Sequence, residues 1–230
     1  MLKPAFVDLS HHNTIPESLK DARASGILGV IHKLTEGNTF IDSDCDARYQ
    51  LAKQAKMLWG VYHFVRPGDM EHQAGFFVET SIELGVADDK TLYCLDYEDK
   101  GVSADDCVKF MEIVEDMTGH EPVLYSGHVL KEELNGKADA RLSKYRLWLA
   151  QYGPNAVLPP GWDTFWGWQY TESGSCPGIK SPVDLNAYIG TAKKLESDWS
   201  GSIEQPSPSK QVVKITIEAP HGVRVDVVRK

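Results

Sequence analysis

Eight short apolar runs alternate with stretches of helical period or loop composition, and that alternation narrows the folds open to this chain more than any other feature. The runs are residues 5–10, 29–35, 58–64, 91–98, 122–126, 145–152, 165–170 and 183–186. Most are rich in β-branched and aromatic residues and bounded by polar ones, the pattern of buried strands. Helical stretches fall between the first five. Residues 15–25 have Pro16 in the first turn and Gly26 past the end. Residues 42–57 carry acids in their first turn, and 70–84 stop at Gly85. Ser103 with Asp106 three residues on reads as a capping box, and Cys107, Phe110, Met111, Val114 and Met117 then mark one packing stripe.

Strands alternating with helices pair in parallel through right-handed crossovers. Eight of them predict an α/β chain folded as a (β/α) barrel. That fold usually takes about 250 residues, and here the pattern ends near Trp199. The shortfall has an address. Residues 153–162 and 171–182, ahead of the seventh and eighth strands, read as loops without helical period. The expectation is a distorted TIM-like barrel with an incomplete helix ring and a last short helix over 190–199.

In such barrels chemistry sits where the strands end at their C-terminal side. The fourth strand closes on Leu95-Asp96-Tyr97-Glu98. Alternate residues of a strand share a face, so Asp96 and Glu98 point together while Leu95 and Tyr97 point away. Each carboxylate raises the proton affinity of the other, a means of keeping one acid protonated near neutral pH. Asp8 lies late in the first strand and Asp184 in the eighth, neighbours in a closed barrel, with the fourth strand facing them across the mouth. Four carboxylates with Tyr62, Phe64, Tyr125, Trp148 and Trp168 describe a sugar site. Aromatic faces pack on sugar rings, and acids protonate a glycosidic oxygen and stabilise positive charge at the anomeric carbon.

Seven stretches strengthen this reading. They are Val7-Asp8-Leu9-Ser10, Lys33-Leu34-Thr35-Glu36-Gly37, Gly60-Val61-Tyr62-His63-Phe64, Leu95-Asp96-Tyr97-Glu98, Trp148-Leu149-Ala150-Gln151-Tyr152, Trp168-Gln169-Tyr170-Thr171 and Val183-Asp184-Leu185-Asn186. In this order they resemble glycoside hydrolase family 25, lysozymes of the Chalaropsis type that are also common among phage endolysins. The resemblance covers residues 5–199. It implies a muramidase cleaving the β-1,4 bond from N-acetylmuramic acid to N-acetylglucosamine in bacterial peptidoglycan, with no cofactor. It places the general acid at Glu98, its partner at Asp96, and further active-site acids at Asp8 and Asp184. Lys33 and Gln169 join Tyr62, Phe64, Tyr125 and Trp148 as candidate substrate contacts. Tyr97 stands where the family often has a small aliphatic residue, and His11-His12-Asn13 replaces a more usual glutamine-containing turn.

Retaining and inverting enzymes differ in carboxyl separation, about 5–5.5 Å against 6.5–9.5 Å. The i, i+2 spacing of Asp96 and Glu98 suits a substrate-assisted variant, in which the sugar's own N-acetyl oxygen attacks and Asp96 orients the amide. Two rivals belong to other classes. His11, His12, His32 and His63 with Asp184 suggest a metal-dependent barrel hydrolase, yet His32 and His63 alternate away from Lys33, Tyr62 and Phe64 and should face the helices. A catalytically silent sugar-binding barrel is the other rival, and intact Asp96 and Glu98 argue against it.

The net charge of −9 and the lack of a basic run argue against nucleic acid as a partner. No apolar stretch reaches membrane-spanning length. Cys45, Cys94, Cys107 and Cys176 show no C-x-x-C spacing and read as free thiols. The opening Met1-Leu2-Lys3-Pro4 enters a strand at once, without room for a signal peptide. The expectation is an endolysin held in the host cytoplasm until membrane pores open, with a secreted lysozyme as the alternative. Residues 200–210 are linker-like, and 211–230 alternate as a β-hairpin that would dock on the barrel, self-associate or contact the wall.

Overall fold

A computed structural model describes residues 3–14, 18–153 and 155–202. The predicted hairpin over 211–230, most of the linker, and Pro16 with its helical turn lie outside the described residues.

Seven strands run parallel around the barrel: β1 (Phe6–Leu9), β2 (Gly29–Glu36), β4 (Leu58–Phe64), β5 (Leu92–Tyr97), β6 (Val123–Ser126), β7 (Arg146–Ala150) and β8 (Gly167–Cys176). The eighth, β9 (Ile179–Tyr188), closes the ring between β8 and β1 and is antiparallel to both. This departs from the all-parallel expectation. A parallel return needs a crossover of a dozen or more residues, whereas only Pro177 and Gly178 separate the paired Cys176 and Ile179. Gly178, at φ 77°, supplies the left-handed conformation this turn requires. Residues 171–182, expected as a loop, are therefore mostly a hairpin projecting beyond the barrel. Their polar composition reflects exposure there. A two-residue strand, β3 (Phe40–Ile41), folds back on the end of β2 and was not expected.

The helix ring is incomplete, as anticipated. It comprises α1 (Lys20–Ala24), α2 (Cys45–Gln54), α3 (Met70–Glu83), α4 (Ala104–Thr118), α5 (His128–Leu134) and α6 (Ala140–Ser143), with α7 (Ala192–Asp198) at the floor. Ser103 and Asp106 form the capping box of α4, and Gly119 ends the helix at φ 71°. Cys107, Phe110, Met111 and Val114 are buried, but Met117, one turn later, is 45% exposed at the frayed edge of the stripe. All four cysteines are buried free thiols.

Two apolar layers follow from strand alternation. Leu95, Tyr97 and Trp168 face outward with the helix-side core, while Phe6, Ile31, Leu92, Cys94, Val123, Trp148 and Trp166 fill the barrel. The outward turn of Trp168 removes it from the expected sugar site. Its indole donates to the Gln151 carbonyl at 2.7 Å. At the floor, Trp199 enters the barrel from the end of α7, packs edge-on against Phe6 and donates to the Trp59 carbonyl at 2.6 Å. A Cβ at Gly29 would sit 2.5 Å from its ring, so β2 needs glycine there for close approach. Arg146, at the start of β7, donates to the Asp198 and Trp199 carbonyls and locks the plug from the side.

Truncating this plug opens a cavity under the barrel. Trp199→Ala should cost ~3–5 kcal/mol, lowering Tm by roughly 6–20 °C for a domain of this size. Thermal unfolding followed by near-UV dichroism checks it, and a Tm within 2 °C of wild type contradicts the plug.

Candidate active site

The mouth of the barrel holds a pocket of about 260 Å³ lined by Asp8, Tyr62, Asp96, Glu98, Tyr125, Trp148, Tyr152, Gln169, Glu172 and Asp184. Asp96 is the penultimate residue of β5, and Glu98 stands one residue past that strand, exposed at the rim. Asp8 of β1 and Asp184 of β9 are direct register partners across the antiparallel ladder. The four acids named from sequence thus converge on one cavity.

A fixed polar layer supports Asp8. The Trp148 indole donates to Asn186 Oδ1 at 2.7 Å, which turns the Asn186 amide so that Nδ2 donates to Asp8 at 2.8 Å. Tyr125 and Tyr152 donate to Gln169 Oε1 at 2.9 and 3.1 Å, and Gln169 Nε2 donates to both Asp8 oxygens at 3.1 Å. Donors on one side and acceptors on the other leave each amide a single sensible orientation. Asp8 is therefore held as an acceptor. Burial pushes its carboxyl above the usual range, while the amides of Asn186 and Gln169 and the hydroxyl of Asp184 oppose that shift. Asp184 is pushed up to about 8 by burial, by the charge of Asp8 and by its hydrogen bond to it. The two carboxyl groups therefore titrate as a pair that holds a proton more tightly than either acid would alone.

Asp96 is also raised well above an ordinary carboxyl, first by burial and then by Glu98. Lys33 opposes that rise. Asp96 Oδ1 is buried and without a hydrogen-bond partner among the described residues. Glu98 is raised by the low-dielectric walls of the mouth and by Asp184, against His128, which lowers it.

Lys33 and Phe64 stand outside the pocket lining. A bulge between Lys33 and Thr35 turns both Lys33 and Glu36 toward the mouth, and the two pair. The Lys33 ammonium lies 5.1 Å from the Phe64 ring centroid and 5.3 Å from that of Phe40. Arg66 covers Phe64 at 4.5 Å and bridges Glu36 at 2.7 Å to Asp99 at 2.9 Å. Both residues are therefore engaged in a rim of alternating charge beside the pocket.

His32 and His63 face the helix layer, as alternation required. His32 Nδ1 lies 2.6 Å from the Lys33 carbonyl, and His63 contacts Thr35 at 2.8 Å and Gln73 at 3.1 Å. Burial holds both rings neutral, lowered to about 4.

Against known proteins, the family model described as "Glycosyl hydrolases family 25" matches residues 7–179. The chain belongs to that family. The protein YegX of Escherichia coli (strain K12), named only as uncharacterized, is 30% identical over 181 residues, 76% of this chain and 64% of that one. Lysozyme M1 of Streptomyces globisporus is 27% identical over 205 residues, 82% of this chain and 69% of its own length. The present chain thus spans just under two thirds of YegX. Among solved structures, the CTP1L endolysin superposes with a TM-score of 0.70 at 26% identity, over 84% of this chain and 68% of that chain.

Two pocket residues of this family 25 barrel escaped the sequence reading. Tyr152 was quoted within a strand motif but not singled out, and the structure carries its hydroxyl to Gln169. Glu172 lay in the presumed loop. Counting by twos from Gln169 points to Thr171, but a bulge between Gln169 and Thr171 shifts the alternation and brings Glu172 to the wall.

The Asp8–Asp184 pair makes stability depend on pH with a definite sign. A carboxyl at about 8 when folded, against ~3.9 unfolded, binds its proton more tightly in the folded state. Its contribution is complete below the unfolded value and is lost as pH rises toward 8. Asp184→Asn keeps a donor toward Asp8 and removes the titration. The variant's Tm relative to wild type should therefore climb between pH 4 and pH 8. A gap that stays constant with pH contradicts the assignment.

Proposed function

We propose that the protein is an N-acetylmuramidase hydrolysing the β-1,4 bond between N-acetylmuramic acid and N-acetylglucosamine in bacterial peptidoglycan. Family membership and the likeness to lysozyme M1 support the substrate class. The observation that carries the mechanism is the buried, unpartnered Oδ1 of Asp96 in the pocket wall. An unsatisfied buried acceptor costs ~1–3 kcal/mol, and the N–H of a substrate acetamido group is a donor of the right kind. With its N–H held by Asp96, the acetamido group presents its carbonyl oxygen to the anomeric carbon. Glu98, whose raised proton affinity keeps it an acid, protonates the glycosidic oxygen as that bond breaks. The acetamido oxygen bonds to the anomeric carbon. Water, deprotonated by Glu98, then displaces it, and the configuration is retained. Asp8, fixed as an acceptor by three amide hydrogen bonds, faces the positive charge that develops on the ring.

In this scheme Glu98→Gln lowers kcat by ~10²–10⁴ with an unchanged fold. Mass analysis of digested peptidoglycan should find muramic acid at the reducing ends. Glucosamine there, or a Glu98→Gln enzyme retaining most of its turnover, sinks the reading.

We further propose that the chain acts as a phage endolysin, stored in the host cytoplasm and released through membrane pores. The likeness to the CTP1L endolysin supports this. Produced in a bacterial cytoplasm, the protein should leave culture turbidity intact until the membrane is opened with chloroform and then cause rapid clearing. Clearing without that step contradicts cytoplasmic storage.

A further inference from the structure

Beside the central pocket lies a second cavity of about 450 Å³ that shares Glu98 and Tyr152 with it and is walled by Gly127, His128, Lys131 and Gln151. The two form one depression with Glu98 on the divide. Their chemistry differs sharply. The central pocket gathers five carboxyl groups, whereas Glu98 is the only carboxyl in the lining of its neighbour, which also holds Lys131.

Lys131 is a half-buried cation, and among the described residues no carboxylate pairs with it. Its ammonium donates to Gln151 Oε1, a neutral acceptor that also takes the Val157 N–H at 3.3 Å. The Gln151 amide is held from its other end, Nε2 donating to the Asn155 carbonyl at 2.9 Å. Gln151 thus fixes the lysine by one bond and leaves its other N–H groups for something else. Burial disfavours the charge, and no ion pair with a carboxylate among the described residues offsets that cost. Elsewhere on this surface lysines of comparable reach, such as Lys100, Lys144 and Lys194, pair with carboxylates. A partly desolvated ammonium held in a cavity at the cleavage site gains most from an anionic ligand group, because a charge-assisted hydrogen bond restores what burial removed.

We propose that this cavity is a carboxylate subsite, in which Lys131 binds a carboxylate on the lactyl arm of a muramyl residue next to the scissile bond. The inference rests on the muramidase reading and deepens it by naming the group that distinguishes muramic acid from glucosamine. That carboxylate has two sources. In stem-free glycan it is the lactyl group's own, and in intact wall it belongs to the stem peptide. Lys131 acts on binding, not on bond breaking, so its loss falls on KM.

The test uses three soluble substrates: glycan with intact stems, glycan stripped of stems by an amidase, and intact glycan whose carboxylates have been converted to neutral amides. Lys131→Met should raise KM about tenfold on carboxylate-bearing glycan with kcat within twofold, and Lys131→Arg should recover most of the loss. On the neutralised glycan wild type and Lys131→Met should match. A KM effect on intact but not stripped glycan assigns the carboxylate to the stem, an effect on stripped but not intact glycan assigns it to the freed lactyl group, and an effect on both shows that Lys131 takes either. Equal KM for both enzymes on every substrate overturns the subsite, as does an equal loss on neutralised glycan. Wild type cutting none of the three would instead overturn the muramidase reading, and the subsite with it.

Discussion

Closure of the barrel by an antiparallel strand sets two carboxyl groups, Asp8 and Asp184, face to face across a ladder. Like charges opposed in a sheet repel, and burial makes the repulsion stronger. The molecule accommodates them by leaving one proton on the pair, with Asn186 and Gln169 fixing which oxygen atoms remain acceptors. Those amides are oriented by Trp148, Tyr125 and Tyr152. The aromatic residues of the mouth therefore do more than offer faces to a sugar. They pin the polar layer that holds Asp8 as a hydrogen-bond acceptor.

Beneath that layer apolar side chains fill the barrel. Phe6, Trp148, Trp166 and Trp199 pack edge-to-face or tilted, with centroids 5.4–5.8 Å apart, and fill the floor. Asp96, inside the strand, is buried, and Glu98, just past it, is exposed at the rim. Two carboxyl groups two residues apart thus differ in environment because one belongs to the strand and the other has just left it, and the division of labour proposed for them follows from that step.

Much of this was legible in the chain. Strand alternation placed Asp96 with Glu98, turned Leu95 and Tyr97 outward, and sent His32 and His63 to the helices. Barrel closure brought Asp8 to Asp184. The misses have local causes. A strand that projects beyond the barrel buries little on either face, so residues 171–182 carried no apolar signature and read as loop. Once they were misread, the direction of β9 was misread too. Bulges defeated counting by twos, hiding Glu172 and placing Lys33 with Glu36 instead of in the pocket. Trp168 was grouped with the sugar site by residue type, although its parity with Gln169 sends the two to opposite faces.

Glu98 has no strand hydrogen bonds to hold it. Its segment is fastened on one side by buried Tyr97, whose carbonyl accepts from Ser126 and whose hydroxyl donates to the Val102 carbonyl, and on the other by Asp99, tied through Arg66 to Glu36 and on to Lys33. The Arg66 side chain is 48% exposed, so its two pairs, unlike the buried amide layer around Asp8, lie within reach of dissolved ions. The two sides of the cleft therefore answer differently to their surroundings. Asp8 is set by the interior and is indifferent to ionic strength. The placement of Glu98 leans in part on the exposed Arg66 pairs, which loosen in brine and tighten in dilute medium.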